Sequence, residues 1–205
     1  MKPRYWIKGK SFLSNKDKVL KSIINKFPKE SLLLNDNYYH TLLNSIIGQQ
    51  ISVSAASAIK KRFFKLNRTI IPKNVIILKD SSLRECGLSR QKILYIKNIS
   101  NFFITNKIFF KNIKKYNEIE IKEKLISIKG VGNWTADMFL LFSYGSSDIF
   151  PQGDLGFVKA ISKLYGKELP LNEDYLKKLQ KKWSPYNSIA TWYLWRSLDP
   201  IPVSY

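Results

Sequence analysis

The sequence predicts an all-α protein, on three observations. Apolar residues recur at helical spacing along almost the whole chain. The two strand candidates, VIILK (75–79) and YNEIEI (116–121), are short and isolated, with no hairpin partner. Prolines, glycines and capping residues divide the chain into pieces of ordinary helix length, about ten in all.

The elements follow in order. Residues 16–27 place Val19, Leu20, Ile23, Ile24 and Phe27 on one face, with Asn15 as the expected cap. Residues 38–65 read as two helices, YYHTLLNSIIG and SVSAASAIKKRFFKL, with Pro28 and Pro72 as punctuation. Asp80-Ser-Ser opens a short helix to residue 86, and GLSRQKILYIKNISNFFI forms the next, bounded by Gly87 and Asn106. Helices are then expected over Glu118–Ile128, Trp134–Tyr144, Phe157–Leu164, Glu173–Trp183 and Ser188–Ser197.

The 205 residues, 44% of them hydrophobic, suffice for one sizeable core or two small lobes. The net charge of +20 invites a polyanion. However, 29 lysines against 6 arginines, with abundant Ile and Asn, is also the composition an A·T-rich genome imposes, and the lysines form no dense block. One cysteine, Cys86, excludes an internal disulfide and any four-cysteine metal or iron–sulfur site, and fits a reducing cytosol. One histidine, His40, argues against histidine-cluster metal catalysis. No apolar run approaches the roughly 18 residues that a membrane span needs, and the first residues lack a signal peptide's apolar core.

Two features carry chemistry. In IKGVGNW (128–134), Gly130 and Gly132 permit a tight turn and a close approach, and the helix that follows aims its first N–H groups outward, toward an anion such as a phosphate. Such a hairpin reads nucleic-acid backbone rather than sequence. Alone, it is equally a plain helix connector. A single acid, Asp154, follows between Gly153 and Gly156; alone, it is equally a helix cap.

The longer string L-x-x-I-x-G-V-G-x-W-T-A-x-M-F (125–139), followed by P-x-G-D-L-G (151–156), resembles the helix–hairpin–helix DNA glycosylases, within them the 3-methyladenine DNA glycosylase II branch. LLNSIIGQQISVSAASAI (42–59), LRECGLSRQKILYIKNIS (83–100) and WSPYNSIATWYLW (183–195) extend the likeness over most of the chain. The resemblance implies one glycosylase unit of two helical lobes around a cleft: lobe one about 36–145, with the hairpin at 125–144, and lobe two 1–35 plus 146–205. There is no room for the β-rich N-terminal domain of some members.

The resemblance also assigns roles. Asp154 is the catalytic aspartate, set at the cleft wall to stabilise the oxocarbenium-like charge that builds as an N-glycosidic bond breaks. The substrates it implies are alkylated purines in duplex DNA, 3-methyladenine and 7-methylguanine, excised by base flipping in base excision repair. Trp134, Trp195 and Tyr38 line the base pocket, with Tyr39 beside them, since a π face attracts a cationic purine. Gln50, or its neighbour Ile51, is the wedge that fills the gap. Gly130, Gly132, Trp134 and Thr135 meet the DNA backbone, with Arg90, Lys92 and Lys159 as candidate basic contacts. No cofactor is implied beyond a sodium or potassium ion at the carbonyls of Ile126, Ile128 and Gly130. Lyase-competent members carry a lysine where this chain has Trp134, so a monofunctional enzyme is expected; it is further expected to be a monomer and cytoplasmic, in the bacterial cytosol or nucleoid, or in the nucleus if the source is eukaryotic. The alternatives are a non-catalytic lesion-binding module, or the same fold excising deaminated or otherwise damaged bases.

Overall fold

The structure, a computed structural model, describes residues 1–199. Its helices run α1 (Trp6–Lys16), α2 (Lys18–Lys26), α3 (Tyr38–Gly48), α4 (Val53–Phe63), α5 (Pro72–Ile76), α6 (Asp80–Glu85), α7 (Arg90–Thr105), α8 (Lys107–Lys111), α9 (Glu118–Ile126), α10 (Asn133–Phe139), α11 (Leu155–Tyr165), α12 (Glu173–Trp183) and α13 (Asn187–Leu198). A 3-10 turn, Ile113–Lys115, precedes α9, and α10 runs on into a π-helical stretch, Leu140–Tyr144. Among the described residues no strand forms, and no helix is long and apolar enough to cross a membrane.

The chain divides into two compact units, residues 35–139 and residues 1–34 with those from 140 onward. The later boundary falls inside the helical run from Asn133 to Tyr144, at Phe139–Leu140.

In the discontinuous unit, α13 is the core helix: every residue from Asn187 to Trp195 is buried. A helix buried all round must be covered on several sides. Trp6 of α1 does so from one, meeting Trp192 edge-on at 5.5 Å and stacking on Tyr193 at 5.9 Å. Asn15, the expected cap, does not cap α2. Asn15 lies inside α1, and Asp17 is the cap, accepting from Val19 N at 3.0 Å and Leu20 N at 3.2 Å. The same carboxylate accepts from Lys182 Nζ at 2.8 Å and Trp183 Nε1 at 3.0 Å, so it also fastens α12. Trp6, Trp183 and Trp192 are all core residues.

In the continuous unit, α3 buries seven of its residues and packs on α7, whose Ile93, Ile96 and Ile99 form the buried stripe. Tyr39, expected beside the pocket, is core instead: it is 5% exposed and its hydroxyl pairs with Ser100 Oγ at 2.7 Å. His40 is half-buried, its Nε2 hydrogen-bonded to the Ile70 carbonyl at 2.8 Å. The YNEIEI strand candidate becomes the start of α9, because Asn117 and Glu120 form a capping box. VIILK loses its strand character to α5, which starts on Pro72. Cys86 is buried and free.

Candidate active site

Asp154 is delivered by a clamped loop. Residues 146–149 lie along α13, where Ser188 Oγ donates to the Ser146 carbonyl at 2.7 Å and accepts from Ile149 N at 2.9 Å. Thr191 Oγ1 donates to the Ile149 carbonyl, and Asp148 accepts from Ser184 Oγ and from both nitrogens of Asn187. Past this point Phe150 packs edge-on against Phe157 at 4.8 Å, and a turn closes with Asp154 N donating to the Pro151 carbonyl at 2.8 Å.

Asp154 then caps α11: its Oδ1 accepts from Phe157 N at 2.7 Å. The same oxygen accepts from Trp195 Nε1 at 2.8 Å. Two donors from two helices fix the carboxylate's position and rotamer. Gly156 makes room for it, since a Cβ there would lie 3.2 Å from Oδ1 and 3.5 Å from Trp195 Cδ1. The carboxylate is half-buried.

Trp195, expected as a pocket wall, lies against the Asp154 carboxylate. It is 7% exposed, stacked on Phe142 at 6.1 Å, and its only ring N–H is spent on Asp154. Its part is to hold the carboxylate. Trp134 and Tyr38 remain as half-buried aromatic surfaces, Tyr38 with its ring 5.5 Å from that of Phe139.

The hairpin is built in the continuous unit. Ile128 and Val131 are buried anchors, and Val131 N donates to the Ile128 carbonyl at 2.9 Å. Between them Gly130 sits at φ +104° with Tyr95 beneath it: a Cβ would lie 2.2 Å from Tyr95 Cγ. Gly130→Ala is therefore expected to cost about 2–4 kcal/mol from overpacking and backbone strain. Gly132 has nothing within 4 Å of a Cβ, so Gly132→Ala is expected to change stability by under about 1 kcal/mol. Urea unfolding of the two variants checks the contrast.

Thr135, expected at the DNA backbone, is 1% exposed, and its hydroxyl accepts from Gln49 Nε2 at 2.9 Å. Its side chain braces the hairpin from within. Lys92, a candidate basic contact, donates to the carbonyls of Ile47 and Gln49, both at 2.8 Å, while Arg90 and Lys159 are exposed. At the tip between α3 and α4, Gln50 is exposed at φ +58° and Ile51 is 38% exposed. The structure thus brings Asp154 to Trp195 in one unit, and Gln49, Gly130 and Thr135 together in the other. Sequence reasoning missed Gln49, Ser188 and Thr191, since their partners are 39 to 86 residues away and no local pattern marks them. Asp137 pairs with Lys122, and its burial outweighs that partner to hold its carboxyl above the usual range.

Comparison with known proteins agrees with this architecture. The putative DNA-3-methyladenine glycosylase YfjP of Bacillus subtilis is 28% identical over 88% of this chain, which spans 66% of that relative. DNA-3-methyladenine glycosylase 1 of Schizosaccharomyces pombe is 28% identical over 89% of this chain and 82% of its own length. The solved S. pombe 3-methyladenine DNA glycosylase in complex with abasic DNA superposes with a TM-score of 0.83, covering 93% of this chain and 96% of that one at 26% identity. The DNA-3-methyladenine glycosidase of Bacillus halodurans superposes with a TM-score of 0.71 at 32% identity, covering 92% and 87%. Finally, the model of the HhH-GPD superfamily of base excision DNA repair proteins matches residues 43–185, taking in the Gln49–Gln50 loop, the glycine hairpin and the capped aspartate alike, and the chain belongs to that superfamily.

Proposed function

We propose that this protein is a monofunctional DNA glycosylase that flips alkylated purines, 3-methyladenine and 7-methylguanine, out of duplex DNA and hydrolyses their N-glycosidic bonds. The observation that carries the reading is the Asp154 carboxylate, fixed by Phe157 N and Trp195 Nε1. N3- and N7-alkylated purines already bear positive charge and depart as neutral bases, so they need little help from a general acid. What the reaction lacks is an anion beside the sugar as cationic character develops. A carboxylate oriented in advance supplies it without reorganisation and can direct a water to the anomeric carbon.

The other parts fit that chemistry. Trp134 and Tyr38 offer π faces that favour a cationic base. The exposed turn at Gly132 and the N–H groups that follow suit a phosphate. The carbonyls of Ile128 and Gly130 each accept one protein donor, Val131 N and Gln49 Nε2, and keep a second lone pair. Those lone pairs, with the Ile126 carbonyl, are the donors a sodium or potassium ion would use, and such an ion would stiffen the hairpin against a phosphate. The place of work is the cytoplasm, with duplex DNA as the partner.

Mass-spectrometric assay of base release from methylated duplex DNA tests the reading; no release by the wild type would overturn it. A second expectation concerns the product. Trp134 stands where a Schiff-base amine is needed, so the strand is expected to stay intact until heat or alkali is applied. Nicking by the protein alone, or borohydride trapping of a covalent protein–DNA adduct, would refute the monofunctional assignment.

A further inference from the structure

Gln50 is the only non-glycine residue with a left-handed backbone among the described residues, at φ +58°. It is neither Asn nor Asp, the types that tolerate this conformation best, so the turn costs on the order of 1 kcal/mol and persists only where neighbouring contacts force it. Those contacts are present. Lys92 Nζ, reaching from α7, donates to the carbonyls of Ile47 and Gln49, which α3 leaves open at its C-terminal end. The Gln49 side chain leaves in the other direction. Its Nε2 donates to Thr135 Oγ1 at 2.9 Å and to the Gly130 carbonyl at 3.3 Å. The residue just before the strained one is thus tied by its backbone to α7 and by its side chain to the glycine hairpin. Burial lowers the proton affinity of Lys92, the mark of an ammonium drawn out of water to serve these carbonyls.

We infer that Gln49 and Lys92 are positioning residues, Gln49 tying the Gln50 loop to the glycine hairpin and Lys92 holding the same loop on α7, so that gap filling by Gln50 and phosphate capture by the hairpin occur in fixed register. The inference rests on the proposed DNA-repair reading and adds two residues to its machinery. A loop that moved independently of the hairpin would have to be ordered on each encounter, and that ordering would be subtracted from the binding free energy.

A double-mutant cycle between Gln49 and Gln50 tests it. The probe is a duplex with a tetrahydrofuran abasic site, 2-aminopurine opposite the gap reporting insertion by its fluorescence. Gln50→Ala in the wild type is expected to weaken the insertion equilibrium about tenfold, and in a Gln49→Ala background about threefold or less. Lys92→Met is expected to mimic Gln49→Ala. Urea unfolding accompanies each variant, and Gln49→Met, of similar length and without the donor, replaces Gln49→Ala in the cycle if that variant does not fold. Additive effects within about twofold would overturn the inference, as would a Gln50→Ala variant that inserts like the wild type. Because the probe has no base to release, the cycle is independent of the base-release assay: a wild type that fills the gap but frees no base refutes the glycosylase reading, not the strut.

Discussion

Asp154→Asn is expected to lower base release by about 10²–10⁴-fold while leaving the fold and abasic-site binding in place. The geometry makes this substitution unusually clean. An asparagine carbonyl oxygen can keep both bonds that Oδ1 accepts, from Phe157 N and Trp195 Nε1, and Asn caps helices as well as Asp does. What is lost is the charge. The measurement pairs single-turnover release from methylated duplex DNA with affinity for an abasic duplex. A variant that retained more than about a tenth of the wild-type rate would remove Asp154 from the chemical step. Loss of release and binding together, with unfolding in urea, would make it a structural cap. Trp195→Phe complements the test: it keeps most of the ring that stacks on Phe142 but leaves Oδ1 with one donor, and should slow release with a smaller effect on abasic-site binding.

A loss of stability as large as that expected for Gly130→Ala lies at Asp17. Its carboxylate gathers two backbone N–H groups, the Lys182 ammonium and the buried Trp183 indole N–H. Asp17→Ala removes a helix cap and strands a buried donor, and should cost about 2–4 kcal/mol, or roughly 5–15 °C in Tm. The pH dependence follows from the same contacts. Burial by itself would raise this carboxyl, but the hydrogen bonds from Lys182, Trp183 and Leu20 N together outweigh it and hold the group below its ordinary 3.8. A lowered folded-state value means that the stability it contributes is fully present above the unfolded value and disappears as pH falls through the folded one. The acid limb of a stability–pH profile should therefore flatten below about pH 4 in Asp17→Asn. An unchanged limb would show that the carboxylate is not stabilising in its charged form.

The sequence made the helices with strong local signals legible. Helix α9 was read as Glu118–Ile128, two residues longer than it is and without its capping box, and the apolar stripe of α7 was read with its bounds nearly right. Helix α1 was missed because its buried residues, Trp6, Gly9 and Leu13, are interleaved with lysines and a glycine that dilute the periodic signal. At the site, the hairpin glycines and Asp154 were found as a linear string. The tertiary partners were not: Trp195 meets Asp154 across 41 residues, and Gln49 meets Thr135 across 86. The side-chain partners of Thr135 and Lys92 were hidden for the same reason. A hydroxyl or an ammonium near a DNA-binding motif looks available in sequence, and only packing shows that it is already engaged.

The pair of hydrogen bonds that Asp154 Oδ1 accepts has an evolutionary reading as well. Because an Asn carbonyl can accept from both Phe157 N and Trp195 Nε1, those two contacts do not require the charge on which the proposed chemistry depends. Aspartate and asparagine codons differ by one transition, and the drift of an A·T-rich genome runs toward asparagine. On the proposed function, a lineage of this protein therefore stands one base change from a chain that keeps both hydrogen bonds and loses the charge that base release needs. Those two bonds cannot hold Asp154 against that change; on the proposed function, selection on base release can.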